Sequence, residues 1–546
     1  MRVSNDSLTE VSYFVNLYIK STLFELYRKL FIYLYGIRIL NPIYTDWLLG
    51  TGEDLTQHYI GWEAFRRTPW QFPLGMVDCL AYPNKTSVIL TDSIPLFAVL
   101  FKIMSPVLPD TFQYFGIWGM LCWILMGILA VRILSKYETN PVKLFFSSAL
   151  FLIIPTVLHR MYAHTALAGQ WILLLGLVPL FDREKYSSKC ERFKFIFLLG
   201  ALAASIHLYF VLMCGIELIG ICVYYYRKLK SFVEVIISLL IYCCTSALIV
   251  YILGGFYGGF EAQNSGLGFY SHNIIGLFDS QGMSSIIEEL PRYGVGQGEG
   301  FAYIGMGMLI LFALSVPLIL VLLFNREKNY DLKQITALLV VCIISFIFAL
   351  SPVITLGSHL LVEIQLPHFI YNMISIFRCT GRVAWIYMYI VMICSCIVVC
   401  KLFNKRIGVI IICLAFVVQM YDLHDQMLLR HQKFMQKEKY VTTLRDDSFW
   451  PIVAANNNIK HIIFVGDFEK HVMFDVTQWA LENDKTVNDF YFARSLSGEK
   501  KQQYIEETLA SLTGENIYIF AEDAEKSIPD GTLDYYEVDG LLIGYK

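Results

Sequence analysis

Charge is scarce in this chain. Asp, Glu, Lys and Arg make up 16% of its 546 residues, well below the roughly 25% of soluble globular domains. Apolar residues reach 56%, a balance that excludes an ordinary soluble enzyme along most of the length. The 13 cysteines are scattered, with no CxxC and no Cys/His metal spacing, which excludes a zinc ribbon or a dithiol redox motif. None lies in the last 120 or so residues. Before Leu40 there is no clean apolar core followed by a small-residue cleavage site, so no cleavable signal peptide is expected. No internal repeat is detectable. The net charge of −3 points to no partner, and no nucleic acid is expected.

What the chain does have is apolar runs of the length that crosses a bilayer, about 17 to 25 residues. They fall at about 17–39, 113–134, 142–158, 166–181, 193–207, 208–226, 232–254, 302–324, 333–351, 384–401 and 407–422, eleven in all. The first is poor, interrupted by Glu25, Arg28, Lys29 and Arg38. Segment 88–104 is broken by Asp92, Pro95 and Lys102 and reads as a re-entrant or interfacial helix rather than a twelfth span.

Loop charge orients the spans, because Lys and Arg in short loops favour the cytoplasm. With eleven spans the short basic loops, such as Arg183/Lys185/Lys189/Arg192/Lys194 and Arg227/Lys228/Lys230, fall on one side with the N-terminus. That side is cytoplasmic. The long connections 40–112, 159–165, 255–301 and 352–383 fall on the other. The expected fold class is therefore an α-helical polytopic membrane protein, with membrane lipids as its surroundings and a transmembrane domain over 1–422.

Residues 423–546 change in composition and predict a soluble, extracytoplasmic α/β domain. HIIFVGD (461–467), VNDFYFAR and NIYIFAE read as strands. MFDVTQWALEND and EKKQQYIEETLASL read as helices, and DYYEVDGLLIGYK as an edge strand or hairpin. Alternating βαβα argues for a mostly parallel sheet. The VGD of the first strand lacks G-x-G-x-x-G, so no nucleotide is read there.

The candidate site residues share the external side. GTGEDLTQHYIGW (50–62) places Glu53 and Asp54 together just past the first span, with His58 one helical turn later. On spacing alone two adjacent acids read equally well as a solvated pair. Their company argues for chemistry: Asp92, His159 and His164, Glu299 in GQGEGFAYIG, and Arg378 with Arg382 in FRCTGR. Ionisable groups near membrane depth are costly and tend to be functional. Arg378 and Arg382 are four apart and would share a helix face, suited to gripping phosphate or to lipid headgroups. GVGQGEG (294–300) resembles a phosphate loop only superficially, with no strand before it and no Lys-Ser/Thr after it, and reads as a flexible external loop. His207, in an apolar run, reads as a satisfied intramembrane histidine.

Taken together, GEDLTQHYIGWEAFRRTPWQFPLG, TDSIPLFAVLFKIMSPVLPDTFQYFGIW, HTALAGQW, GFYSHN, GQGEGFAYIG and FRCTGR resemble a family of uncharacterised bacterial polytopic membrane proteins. That family is similar to the GT-C superfamily of integral-membrane glycosyltransferases, over about residues 40 to 385. The resemblance implies a GT-C-like fold with a long first external loop carrying an acidic catalytic residue, here Asp54 or Glu53. It implies a polyprenyl-phosphate-linked sugar donor and an unknown glycan or protein acceptor. Arg378 and Arg382 would meet the donor phosphate, and His58, Asp92, His164 and Glu299 would line the substrate site. Some such enzymes use a divalent metal and others none; the Glu53-Asp54 pair would offer oxygen ligands. The weak first span and the α/β tail depart from the pattern.

Two other readings compete. A transporter or flippase of lipid-linked material would favour repeats and polar residues at mid-membrane. A non-catalytic scaffold would use the α/β domain to bind an envelope partner.

Overall fold

Apolar runs closed by Pro, Gly and Asn become helices in the computed structural model. It describes residues 25–257, 266–324, 331–437, 439–492, 498–522, 524 and 532–546. Part of the expected first span, 17–24, lies outside these; a helix occupies 25–35. The helices that position the site are α1 (Asp54–Arg67), α2 (Pro95–Met104), α3 (Phe115–Leu134), α4 (Pro141–Leu152), α5 (Trp171–Phe181), α6 (Lys189–Ile206), α7 (Leu208–Leu229), α8 (Phe232–Ile252), α9 (Met306–Phe324), α10 (Leu332–Leu350), α11 (Ala384–Leu402), α12 (Lys405–Asp422) and α13 (His424–Met435).

The chain is a helical membrane protein. Among the described residues five helices are long and apolar enough to cross a bilayer: α3, α7, α8, α10 and Thr380–Leu402. A sixth counts if α12 and α13, bent by 58°, form one broken span. Two expected spans are shorter apolar helices. Run 142–158 stops at Leu152, and Pro155 opens a separate short helix; run 166–181 begins as a 3-10 helix before α5. Run 302–324 holds the 19-residue helix α9, with Pro317 inside it. Segment 88–104 yields only the ten-residue α2, about 15 Å long, with Pro95 at its first turn.

Thr380–Leu402 lies deepest, 78% of its apolar window being buried, whereas α8 and α10 are 28% buried. The latter two therefore present their flanks outward, as Leu240, Leu248, Ile343 and Ile347 show by their exposure. The bend after α12 centres on buried Asp422. Its carboxylate accepts from Tyr303 (2.9 Å) and from the Met306 backbone (2.8 Å), so it caps α9 while α13 leaves at an angle.

The C-terminal sheet comprises β1 (His461–Val465), β2 (Thr486–Val487), β3 (Asn516–Phe520), β4 (Asp534–Val538) and β5 (Leu541–Tyr545), in the order β2-β1-β3-β5-β4. β2, β1 and β3 run parallel, and the β4–β5 hairpin pairs antiparallel. Helices α14 (Lys470–Glu482) and α15 (Gly498–Ala510) supply the crossovers. The expected strand VNDFYFAR (487–494) is corrected. Only Val487 of it is strand, because the Asn488 side chain hydrogen-bonds both backbone groups of Phe464 and ends the ladder. Residues 493 and 494 lie outside the described residues.

This domain is docked, not tethered. Its edge residue Val487 donates its N–H to the Cys79 carbonyl and accepts from the Tyr82 N–H, both at 2.9 Å. Tyr82 stacks on His461 at 3.6 Å. Helix α14 packs on α1, which brings the sheet domain over the residues that follow Gly50.

Candidate active site

Helix α1 is read best by its face. Asp54, Gln57, His58 and Gly61 recur at i, i+3, i+4 and i+7, so they share one side. That side meets the turn Thr91–Asp92–Ser93. A Cβ on Gly61 would come within 2.4 Å of Thr91 Cβ and 2.7 Å of Ser93 Oγ, so only glycine admits the turn so closely. Ser93 Oγ donates to the His58 carbonyl at 2.7 Å. Asp92 and Ile94 both adopt left-handed backbone, φ 53° and 52°. For a β-branched residue such as Ile94 that is strained, and the kink delivers the Asp92 carboxylate toward His58 and His164.

A cavity of about 270 Å³ opens there. Asp54, Gln57, Asp92, His164, His207, Glu299, Arg378 and Arg382 give its polar lining. The ends of α6 and α7 (Ala204, Ile206, Leu208) form an apolar wall, and Tyr491 and Phe492 of the C-terminal domain form part of the rim.

Of the predicted residues, Asp54, Asp92, His164, Glu299, Arg378 and Arg382 thus line one cavity. Glu53 does not line it: its carboxylate is 67% exposed and pairs with Lys470 of α14 at 2.8 Å. Glu53 is the extended N-cap residue of α1 and Asp54 its first helical residue, so the two side chains are set by different backbone conformations. His159 is exposed and outside the cavity lining.

His58 lies fully buried just behind the lining, and with Asp92 and His164 it forms a cluster whose ligand atoms all lie within 4.8 Å of one another. Both ring nitrogens of His58 and Nδ1 of His164 are buried without a hydrogen-bond partner. Orphaned imidazole nitrogens beside a carboxylate suit a divalent cation, so these residues fit one, whereas the Glu53-Asp54 pair does not. Burial holds the His58 pKa down at about 4, against the pull of Asp92. Burial likewise holds His164 well below its usual value, aided by repulsion from His58. Both are neutral near pH 7, as ligands must be.

His207 is hydrogen-bonded, as its sequence reading expects, but at a break between helices rather than inside an apolar run. It stands extended between α6 and α7, where its Nδ1 accepts from the Tyr209 N–H at 3.1 Å. Its proton therefore sits on Nε2, 3.3 Å from Asp92 Oδ1. Burial pushes the Asp92 pKa up, but the bond from His207 and the nearby histidines outweigh it and the net direction is down. The sequence signal was the break itself, a lone histidine at the junction of two runs rather than inside one.

The arginines are also rearranged. The expected shared helical turn is absent: the helix His368–Ser375 ends before Arg378, and a 3-10 turn, Thr380–Val383, carries Arg382. Arg382 is committed to Glu299 Oε2 through Nε (2.8 Å) and Nη2 (2.7 Å). Arg160, not singled out in the sequence, holds the same oxygen at 2.8 Å. Burial alone would raise the Glu299 pKa, but the two guanidiniums hold it well below the usual carboxylate range. Arg378 lines the cavity with its guanidinium over the Tyr270 ring at 5.7 Å.

Glu299 is placed by packing that the glycines permit. GVGQGEG is not a flexible loop: Val295–Gly300 is a 3-10 helix. A Cβ on Gly381 would meet Gly300 Cα at 2.5 Å, and one on Gly300 would meet the Ser271 carbonyl at 2.6 Å. His272 of GFYSHN then donates from Nδ1 to the Gly300 carbonyl at 2.7 Å and accepts from Tyr387.

Of the cavity-lining carboxylates Asp54, Asp92 and Glu299, it is Asp54 whose pKa is raised. Burial is the main cause, and Asp92 adds to it, while Lys470 opposes it and Glu299 and Glu53 contribute further repulsion.

A family model described as "Domain of unknown function (DUF6311)" matches residues 28–424, and a DUF6311 C-terminal domain model matches 449–546. The chain belongs to the DUF6311 family. No curated protein matches it in sequence. Among solved structures, this DUF6311 protein is similar to the Archaeoglobus fulgidus oligosaccharyltransferase in the apo form, at 12% identity and TM-score 0.46, over 86% of this chain and 64% of that one. The DUF6311 chain therefore spans less than two thirds of that protein. It is similar to the archaeal oligosaccharyltransferase AglB from Archaeoglobus fulgidus in complex with an inhibitory peptide and a dolichol-phosphate, at 10% identity and TM-score 0.48, over 92% and 69%. It is also similar to ArnT from Cupriavidus metallidurans bound to undecaprenyl phosphate, at 11% identity and TM-score 0.41, over 99% and 98%. All three scores lie below 0.5, and no residue assignment follows from them.

Proposed function

We propose that this DUF6311 protein is an integral-membrane glycosyltransferase of the bacterial cell envelope. It moves a sugar from a polyprenyl-phosphate-linked donor to an envelope acceptor, with inversion at the sugar carbon. One observation carries the reading: Asp54 faces the same cavity as the Asp92–His164 pair and Arg378, between membrane-helix ends and a docked α/β domain. An acid, a cation-binding cluster and a guanidinium are what a hydroxyl nucleophile and a phosphate leaving group require together.

The acceptor hydroxyl oxygen attacks the anomeric carbon and its proton passes to Asp54. The bond from that carbon to the phosphate oxygen breaks, and the electron pair stays on the lipid phosphate. A phosphate with a second pKa of about 6 leaves without an acid, so one base suffices. Arg378 would neutralise the charge gathering on that phosphate, while Arg382, tied to Glu299, fixes the wall behind it. A divalent cation held by His58, Asp92 and His164 would supply Lewis-acid stabilisation of the same charge. The raised pKa of Asp54 suits a base.

The loop-charge pattern supports an extracytoplasmic site, on the face where the sheet domain lies. The ionisable residues gather at helix ends, which disfavours a transporter with mid-membrane binding. The test is to reconstitute the purified protein in bacterial membranes with a panel of radiolabelled polyprenyl-phosphate sugars. Loss of label from lipid to a polar product is expected for one donor. No consumption of any donor would overturn the enzyme reading.

A further inference from the structure

Residues 352–377 join two membrane-length helices, α10 and Thr380–Leu402, and form a hairpin followed by a short helix. Strands Val353–Leu356 and His359–Glu363 pair antiparallel, and helix His368–Ser375 follows. The hairpin is not loose. The Asn273 side chain donates to the Gly357 carbonyl at 2.8 Å and accepts from its N–H at 3.0 Å, and Gln297 donates to Thr355 Oγ1 at 2.7 Å.

Yet its outer surface carries uncovered apolar side chains among polar ones. Leu360, Leu361 and Val362 are exposed on consecutive positions, so both faces of the strand are bare. On the helix Phe369 (71% exposed) and Met373 recur at i and i+4, and the C-cap residue Ile376, still of helical conformation, continues that face at i+7. Water is a poor neighbour for such a surface. Ile343 and Ile347 of α10 are bare as well, so the uncovered apolar surface runs from a membrane-length helix into the hairpin. Open strand edges do not occur in the hydrocarbon core, so the fitting depth is the headgroup–acyl boundary, where amphipathic elements lie.

We infer that residues 352–377 lie in the lipid leaflet at that boundary, and that the cavity opens sideways to lipid beside them. Ser375, Ile376, Phe377 and Arg378, which end this segment, line the cavity. A lipid-linked substrate would then slide in from the leaflet with its phosphate arriving at Arg378. The insertion stands on the exposed surface alone; the use of this opening by the donor rests on the glycosyl-transfer reading.

The test uses the full chain in lipid nanodiscs, with benzoylphenylalanine placed by Leu361→benzoylphenylalanine or Phe369→benzoylphenylalanine. Glu515, exposed on the α/β domain, gives the control position. After irradiation, mass spectrometry should find phospholipid adducts at 361 and 369 and none at 515. Adducts to a second copy or to a co-purified protein in place of lipid, or no lipid adduct at either position, would overturn the insertion. This readout needs no activity, so it fails separately from the enzyme reading. In a protein that consumes a long-chain donor, Leu361→Asp with Phe369→Asp should raise the KM for that donor about tenfold or more and leave its KM for a short-chain, water-soluble analogue unchanged. An unchanged KM for the long-chain donor would overturn the lateral entrance.

Discussion

Arg382 grips one oxygen of Glu299 through two of its nitrogens, Nε at 2.8 Å and Nη2 at 2.7 Å. Arg160 reaches that oxygen too, at 2.8 Å. Removing the carboxylate strands two buried guanidiniums, and breaking a buried ion pair in this way destabilises by about 3 kcal/mol or more. Glu299→Gln should therefore lower the unfolding midpoint in detergent clearly. A midpoint within error of the wild type would show that the triad is not what holds this wall.

Arg378 is assigned the lipid phosphate. Its guanidinium lines the cavity and lies over Tyr270. Arg378→Gln is expected to weaken binding of undecaprenyl phosphate about 10- to 100-fold, the loss of one charged hydrogen bond. Equilibrium binding of the fluorescent lipid phosphate measures it. Unchanged affinity would remove Arg378 from the phosphate site.

Metal content tests the cluster directly. The purified protein, loaded with zinc or manganese and desalted, should retain about one ion per chain by elemental analysis. Asp92→Asn and His58→Ala should abolish retention. His207→Ala, which removes the bond to Asp92 but no ligand, should reduce affinity about 10- to 100-fold. Full retention in Asp92→Asn would refute the cluster as the ligand set.

The pH profile should report Asp54. As a base it must be ionised, so activity falls on the acid side as pH drops through its pKa. That limb should lie above the roughly 3.9 of an ordinary aspartate, because burial and Asp92 raise it. Lys470 opposes the rise and Glu53 adds to it. Lys470→Met should thus move the limb to higher pH and Glu53→Gln to lower pH, as read from kcat across pH. Movement of both in one direction would contradict the assignment.

Much of this was readable from the residues. Apolar runs with Pro and Asn at their starts became helices, and the βα alternation of the tail became a sheet with parallel strands at its centre. The motifs around Asp54, Asp92, His164, Glu299 and Arg378 meet in one cavity, but what each does there depended on partners distant in sequence. Arg382 looked like a phosphate ligand until Glu299, 83 positions away, was seen in its grip. His207 looked like core because its neighbours are apolar; its role comes from a break between helices. Glu53 looked equivalent to Asp54, but it is the extended N-cap residue and pairs with Lys470 of the docked domain, while Asp54 opens the helix and lines the cavity. Tyr491 and Phe492 had the alternation of a strand, but Asn488 ends the ladder and sends them to the cavity rim.

The central claim is that Asp54 takes a proton while a lipid-phosphate sugar is transferred. The most direct measurement is the kcat of Asp54→Asn with the donor that the wild type consumes, beside its affinity for undecaprenyl phosphate. The account predicts a fall in kcat of at least about 100-fold, as for loss of a general base, with lipid-phosphate binding intact. Wild-type turnover in Asp54→Asn would contradict it.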